Sequence, residues 1–181
     1  MLEMVDDGAV PELSVGDPWL IDLVFRLREP MQPMSAGAEL GIKPETPLNS
    51  DPQPRCLLAA RVLRRRPEGS EVTAIALEVP GMIIGYGSRL PLPDTPLVEG
   101  GGVICADPWQ NAAWAFPETE RRCIVEGLDC VRAPSVQDND GHRKPDWSRH
   151  TATTIEWIRT RHDFPHQQLE SGFYVAEIAL A

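Results

Sequence analysis

Hydrophobic and polar residues alternate along several short stretches of the chain, a pattern typical of strands with one buried face. The clearest stretch runs from Trp19 to Arg28, where every second residue is apolar. A period of two matches a strand, whereas a helical face recurs about every 3.6 residues. We therefore expect a strand here with one row of side chains in the core: Trp19, Ile21, Leu23, Phe25 and Leu27.

A hairpin is predicted from two neighbouring stretches. Residues 55–64 place apolar side chains on one face, residues 71–79 are rich in aliphatic and β-branched side chains, and residues 66–70 contain Pro67 and Gly69. Proline and glycine favour a tight turn between the two. Further strands are predicted at 82–86, 103–106, 123–131, 151–159 and 173–180, with short helical turns at 118–122 and 165–170.

Two segments show neither the strand period nor the helical period of apolar residues, and we expect them to be long loops. Residues 29–54 contain six prolines, and residues 133–150 are polar and rich in turn formers. Within the second, Asp138 to Gly141 predicts an Asx-rich turn, because aspartate and asparagine side chains accept hydrogen bonds from the backbone just after them. The glycine run Gly100 to Gly102 lacks the residues of a phosphate-binding loop, so we expect a flexible turn there.

These elements together predict an all-β fold. We expect an antiparallel small barrel or sandwich of about eight short strands, with one or two short helical turns and two long loops. Because neither long loop leaves enough strands on one side to close a core, we expect a single β-rich domain over residues 1–181.

The net charge of the chain limits the classes of molecule that it is expected to bind. The formal net charge is -10, and the first 50 residues hold nine acids against three cations. Such a field repels phosphate backbones and anionic lipid, so we expect no nucleic acid and no membrane as partner, and a basic protein as the favoured one. The chain has no apolar run near the roughly 20 residues of a membrane helix and no basic, apolar leader, so we expect a cytoplasmic protein.

Cysteine and histidine give weak signals for a metal. The four cysteines lie in or beside apolar segments without a C-x-x-C pair, so we expect buried thiols, no disulfide and no cofactor. His162 and His166 are weak metal candidates, because Pro165 lies between them and disrupts a helical pair.

The strongest candidate for a site is the aromatic segment 107–118. Its aromatic rings could line a pocket or an interface beside two carboxylates, or they could simply plug the end of the barrel. The candidate ligand or interface residues are Trp109, Trp114, Phe116, Asp107 and Glu118.

Two functions remain open from the sequence. The first is a noncatalytic binding or protein-interaction domain, of which an inhibitor-like or immunity-like role is one version. The second is a small-molecule enzyme or ligand binder with an aromatic pocket near Trp109. A nucleic-acid module of the OB type is opposed by the net charge. We expect the first, and hence a protein that is not an enzyme.

Overall fold

The computed structural model describes residues 2–4, 12–46, 51–68, 72–88, 92–106, 116–158 and 170–180. The predicted all-β class is confirmed, since strands make up 68% of the structure. The described residues form fourteen strands, more than the eight expected, and two 3₁₀ turns, at Pro117–Thr119 and Trp147–Arg149. The strands are β1 (Leu2–Met4), β2 (Leu13–Ser14), β3 (Pro18–Leu27), β4 (Gln32–Pro33), β5 (Gly41–Pro44), β6 (Arg55–Glu68), β7 (Val72–Val79), β8 (Met82–Ser88), β9 (Leu97–Ala106), β10 (Glu120–Gln137), β11 (Arg143–Pro145), β12 (Thr151–Ile155), β13 (Trp157–Ile158) and β14 (Glu170–Leu180).

By their internal contacts the residues group into two compact units. Unit 1 comprises Met1–Trp19, Pro47–Pro54 and Cys123–Ala181, and unit 2 comprises Leu20–Thr46 and Arg55–Arg122. Each unit is described by itself below.

In unit 2, five strands pair in a ring. The predicted hairpin of β6 and β7 is confirmed, and β8 continues it as an antiparallel meander. Strand β9 pairs antiparallel with both β6 and β3. The ring is completed by β3 and β8, which run parallel and share one residue pair, Val24 with Gly85. A single bridge makes this a weakly closed ring and not a regular barrel.

The inward face of β3 confirms the alternating pattern seen in the sequence. Ile21, Leu23 and Phe25 are 4%, 2% and 1% exposed, and Leu27 is half-buried. The opposite face of β3 departs from this pattern at one residue, because Asp22 is also buried, at 2% exposed. Its surroundings are described with the candidate site.

The glycine run predicted as a flexible turn lies inside β9, and that prediction is wrong. A Cβ added at Gly102 would come within 2.7 Å of Phe25 Cζ, and one at Gly100 would lie 3.1 Å from Leu27 Cδ2. Gly102 and Gly100 are therefore needed for packing, because β9 lies close against the large side chains of β3 at these two positions, whereas a Cβ at Gly101 would meet no atom within 4 Å.

The proline-rich segment also contributes to unit 2. Strand β4 pairs with β9, and β5 pairs with β6. Between β3 and β4, Met31 is buried at 4% exposed. Thus residues 29–46 carry short strands and a core side chain, although their composition predicts a loop.

Unit 1 is built around the part of β10 that starts at Cys123. Strand β14 pairs antiparallel with β10 along one side, with a bulge between Val125 and Gly127, and β12 pairs with residues Leu128 to Arg132. Strand β1 adds to β14, while β2 and β13 form a separate two-stranded sheet.

Part of the second predicted loop is a hairpin of unit 1. Strand β10 continues to Gln137 and pairs with β11. At its tip, Asp138 Oδ1 accepts hydrogen bonds from the backbone N–H groups of Asp140 and His142, at 3.1 and 2.9 Å, which confirms the predicted Asx-rich turn. Throughout the described part of the chain, the structure contains no helix of the length and apolarity that spanning a membrane requires.

Candidate functional site

A pocket lies on one face of the unit 1 sheet, and strand pairing brings its floor together. Along β10, alternation places Leu128, Cys130 and Arg132 on the same face. The register sets Tyr174 of β14 beside Cys130 on one side and Ile155 of β12 beside Leu128 on the other. Residues far apart in the sequence therefore share one surface.

The pocket wall forms where β12 ends. Glu156 interrupts the strand, and the chain resumes as β13, whose Trp157 pairs with Ser14 of β2. The adjacent Ile158 is 3% exposed and anchors this short strand. The Val15 N–H also donates to the Glu156 carbonyl oxygen at 3.0 Å. This framework holds Trp157 at the rim.

The resulting cavity has a volume of about 350 Å³, within the size range of small-molecule sites. Its floor is well buried, since Cys130 and Tyr174 are each 3% exposed, whereas Trp157 at its rim is 45% exposed. The pocket thus combines a closed floor with an accessible aromatic edge. It is lined by Cys130, Arg132, Ile155, Glu156, Trp157 and Tyr174.

Arg132 supplies a positive charge with a defined orientation. Its Nε donates a hydrogen bond to Cys130 Sγ at 3.3 Å, and the side chain is half-buried. Because the guanidinium group is planar, fixing Nε also fixes the plane of the remaining donors. Glu156 brings an exposed negative charge to the same pocket.

The opposite face of the sheet supports the pocket floor. Val131, Phe173 and Val175 form a buried cluster there, with Trp147 packed against it. The rings of Trp147 and Phe173 meet edge to face, with their centroids 5.5 Å apart. A packed layer behind the sheet restricts movement of the strands that carry Cys130 and Tyr174.

Among the residues predicted from the aromatic segment, Phe116 lies in a small core of unit 2. It is 3% exposed and packs on Ala74 and Ala76 of β7, together with Ile83 of β8. Three residues later, Thr119 is fully buried. Thr119 Oγ1 lies 2.8 Å from the Phe116 carbonyl oxygen and 3.1 Å from Asp22 Oδ1, so its hydroxyl is one polar neighbour of the buried carboxylate on β3.

Glu118, also predicted as a site residue, forms an ion pair. Its Oε1 lies 2.9 Å from Arg64 Nη1, and its side chain is 26% exposed. Arg65, the next residue of β6, donates from Nη2 to the Pro93 carbonyl oxygen at 2.9 Å. Both arginines therefore have roles within unit 2.

The remaining predicted site residues, Asp107, Trp109, Trp114, His162 and His166, lie outside the described residues. A pocket near Trp109 and a site at the two histidines accordingly stay predictions. Among the residues that are described, no three side chains of histidine, cysteine, aspartate or glutamate are grouped closely enough to hold a metal ion.

The acids near the N-terminus have different surroundings. Asp22 is buried, and Asp17 Oδ2 accepts a hydrogen bond from the Ser14 N–H at 2.8 Å in the turn after β2. In unit 2, three others are exposed: Glu29, Glu39 and Glu45. Two of the nine acids therefore have structural roles, and these three are available to solvent.

Two buried cysteines resist ionisation. Burial, assisted by the negative charge of Glu45, raises the pKa of the Cys56 thiol from 9.0 to about 11. Burial also raises the pKa of Cys123, whose Sγ lies 3.5 Å from the Trp19 carbonyl oxygen. These thiols are suited to packing and not to nucleophilic chemistry at neutral pH.

The pocket residues are not among the site residues that the sequence predicts. The predicted strand ends at Val131, which leaves Arg132 at the edge of the expected loop. The available signal was an arginine at the end of a row of apolar residues on one strand face, Leu128 and Cys130. A charged side chain in such a row is partly buried, which is uncommon for arginine and therefore points to a specific role.

A scan against models of protein families, a search of curated proteins and a search of solved structures each found no match to this chain.

Proposed function

We propose that the protein is a noncatalytic binding domain whose binding site is the pocket beneath Trp157. The observation that carries the proposal is the exposed indole of Trp157, 45% accessible, beside a cavity of about 350 Å³ with a buried floor. A large aromatic side chain held at the rim of a cavity offers contact area without a large loss of side-chain entropy on binding.

The residue types around the cavity favour recognition. Tryptophan, tyrosine and arginine are the residues that most often contribute strongly to binding. Trp157, Tyr174 and Arg132 all line this pocket. Their side chains are positioned by strand register and by the Arg132 to Cys130 hydrogen bond, so part of the ordering cost is met before a ligand arrives.

The guanidinium group of Arg132, which lines the pocket, is suited to holding a ligand. Arginine keeps its proton throughout the accessible pH range, so Arg132 orients an anionic group but does not exchange protons with it. This supports binding without a chemical step at this group.

The proposal is tested by NMR with a library of small aromatic and charged compounds. The indole N–H signal of Trp157, assigned by its loss in Trp157→Phe, should shift with at least one compound class. Trp157→Ala should abolish that binding, whereas Leu63→Ala, which truncates an exposed residue of unit 2 at 39% exposure, should leave it unchanged. If no compound shifts the Trp157 signal, or if Trp157→Ala binds equally well, the pocket is not a binding site.

A second candidate function is docking of a basic protein. The net charge of -10 and the exposed carboxylates of Glu29, Glu39 and Glu45 support it. Binding of a lysine-rich test protein should then weaken as salt rises, since salt screens exposed charges beyond about 8 Å at physiological strength. Glu39→Gln and Glu45→Gln together should lower the association rate, and an unchanged rate would contradict this candidate.

A further inference from the structure

We infer that the outer edge of β12 pairs with the same edge of a second copy of this chain, so that the protein forms a reversible dimer with two antiparallel β12 strands at its centre. The inference goes beyond the proposed function, because it needs no ligand in the pocket. Three features of unit 1 support it: the position of β12 in the sheet, the residue types along it and the charges at its two ends.

The pairing within the sheet leaves β12 at an edge. Strands β14 and β12 pair with the same stretch of β10, so they lie on opposite sides of it. Within the described ranges, β10 is the one strand that pairs with β12. Because alternate residues of a strand direct their N–H and C=O groups to opposite sides, every second residue of β12 directs its backbone groups away from β10. A row of backbone donors and acceptors of this kind is matched by another extended strand.

The open stretch of this edge has a defined end. At Glu156, the carbonyl oxygen accepts a hydrogen bond from the Val15 N–H at 3.0 Å. An incoming strand therefore pairs along Thr151–Ile155, the five residues of β12.

The residue types of β12 differ from those of other strands with a single partner. In the described part of the chain, β11 pairs with β10 alone and β5 pairs with β6 alone. Strand β11 contains two cations and a proline, and β5 contains Lys43 and Pro44. Lysine and proline at an edge discourage further pairing. Strand β12 reads Thr-Ala-Thr-Thr-Ile, without a charge or a proline, and threonine and isoleucine favour strands.

The side chains of β12 are accessible to a second copy. The first four residues are exposed, and Ile155 is half-buried. A two-fold axis at the middle of the strand sets Thr153 opposite Thr153 of the second copy and Ala152 opposite Thr154. Residues directly opposite each other in an antiparallel pair have their Cβ atoms about 4.5–5.5 Å apart, and threonine pairs at this distance are stabilising. The same five residues thus supply both halves of a closed two-fold contact.

The charges beside β12 favour the antiparallel orientation. Arg149 precedes the strand, Glu156 follows it, and both side chains are exposed. Antiparallel pairing brings Arg149 of each copy to the end where Glu156 of the other copy lies. Parallel pairing would bring like charges together at both ends. Two copies of this edge are therefore complementary to each other in charge.

The size of the contact predicts a weak dimer. A pair of five-residue strands buries less than the roughly 1,200 Å² found at stable interfaces. Each copy also carries a formal net charge of -10, so the two copies repel each other at long range. We therefore expect a monomer at micromolar concentration and a dimer that becomes populated towards millimolar concentration at physiological salt, which screens the repulsion.

Sedimentation velocity of the full chain over this concentration range tests the pairing at Thr153. Thr153→Lys and Thr153→Glu each place like charges opposite each other, so each variant alone should dimerise about fivefold more weakly than wild type. A mixture of the two variants should form a mixed dimer more readily than either variant forms its own. Isotope labelling of one variant lets native mass spectrometry resolve the mixed dimer. Thr46→Lys, a matched change of an exposed threonine in unit 2, should dimerise as wild type does.

A second pair of variants tests the orientation of the strands. Glu156→Arg and Arg149→Glu each bring like charges together at both ends of an antiparallel pair, so each alone should weaken the dimer. Their mixture brings opposite charges together again and should restore it. Circular dichroism shows that each variant is folded. Amide hydrogen exchange of wild type needs no variant: protection of Ala152 and Thr154 should rise as the dimer is populated.

Several outcomes would overturn the inference. A wild type that stays monomeric at millimolar concentration excludes a dimer. If it dimerises but folded Thr153→Lys does so equally well, or if exchange within β12 does not change with concentration, the copies meet through another surface. If the mixture of Glu156→Arg and Arg149→Glu dimerises no better than each variant alone, the antiparallel register is wrong.

Discussion

Two aromatic side chains of this protein, Phe116 in unit 2 and Trp157 in unit 1, have opposite surroundings. Phe116 is 3% exposed and lies on the small side chains of Ala74 and Ala76, whereas Trp157 is 45% exposed beside a cavity. Alanines on a strand let a ring approach closely and fill the space. Beside Trp157, the floor residues Cys130 and Tyr174 are buried, yet they leave a cavity below the ring. One aromatic ring is thus covered by a packed core, whereas the other stays accessible beside a cavity.

Among the variants that test this contrast, truncation of Phe116 is expected to change the free energy of unfolding most. Phe116→Ala should lower the free energy of unfolding by about 3–5 kcal/mol, because it leaves a cavity over Ala74 and Ala76. Urea denaturation of the variant and the wild type measures the change. A loss below about 1 kcal/mol would show that this cluster is not a packed core.

Alkaline pH should weaken unit 2 through Cys56. Below pH 9 both folded and unfolded chains keep the thiol proton, so stability does not depend on this group. Between pH 9 and 11 the unfolded chain releases the proton while the folded chain retains it, because the folded pKa is about 11. Stability is therefore lost as pH rises, by about 2–3 kcal/mol in total.

The control for this pH effect is Cys56→Ala. Urea denaturation across pH 8 to 11 should show a steeper fall for wild type than for Cys56→Ala, which keeps the other titrating groups. Equal slopes for the two proteins would contradict a raised pKa at Cys56.

An intermediate effect is expected where Thr119 meets Asp22. Thr119→Val keeps the shape but removes the hydroxyl that lies 3.1 Å from Asp22 Oδ1, so it should cost about 1–3 kcal/mol by weakening the hydrogen bonding of a buried carboxylate. Thr154→Val is the matched control, because Thr154 Oγ1 donates to Asp129 Oδ1 at an exposed site. Comparable losses in both variants would mean that burial at Asp22 has no special importance.

The smallest stability effect is expected at Trp157. Trp157→Ala should change the free energy of unfolding by less than about 1 kcal/mol, since surface changes away from packed features have small effects, even though it should abolish ligand binding. Thermal unfolding beside the NMR titration checks both statements. A loss as large as that of Phe116→Ala would show that Trp157 has a structural role, and the contrast between the two regions would fail.

The sequence predicts those elements that are specified by residues close together in the chain. Ile21, Leu23 and Phe25 alternate within one strand, and the turn at Asp138 is built from adjacent residues. By contrast, the glycines of β9 were read as a turn because the reason for them, contact with Phe25, lies on another strand. Contacts between distant residues leave no periodic signal.

The same limit applies to the candidate site. Phe116 and Glu118 are close in sequence, yet Phe116 packs on β7 while Glu118 pairs with Arg64. Conversely, Arg132, Trp157 and Tyr174 come from three separate strands. Strand β10 pairs with β14, which carries Tyr174, and with β12, after which the chain continues to Trp157 on β13. Register across the sheet is a tertiary property, so this pocket could not be predicted from spacing along the chain.

The position of β3 in the ring of unit 2 has a consequence for the order in which that unit forms. Strand β3 precedes its partners in the chain, since its antiparallel neighbour β9 starts at Leu97 and its parallel neighbour β8 ends at Ser88. During synthesis, Leu23 and Phe25 therefore emerge long before the strands that cover them. We expect the meander of β6 to β8 to form first from local contacts, and docking of β3, which closes a long loop, to be a slow and late step of folding. Until then its apolar row remains open to pairing with other chains.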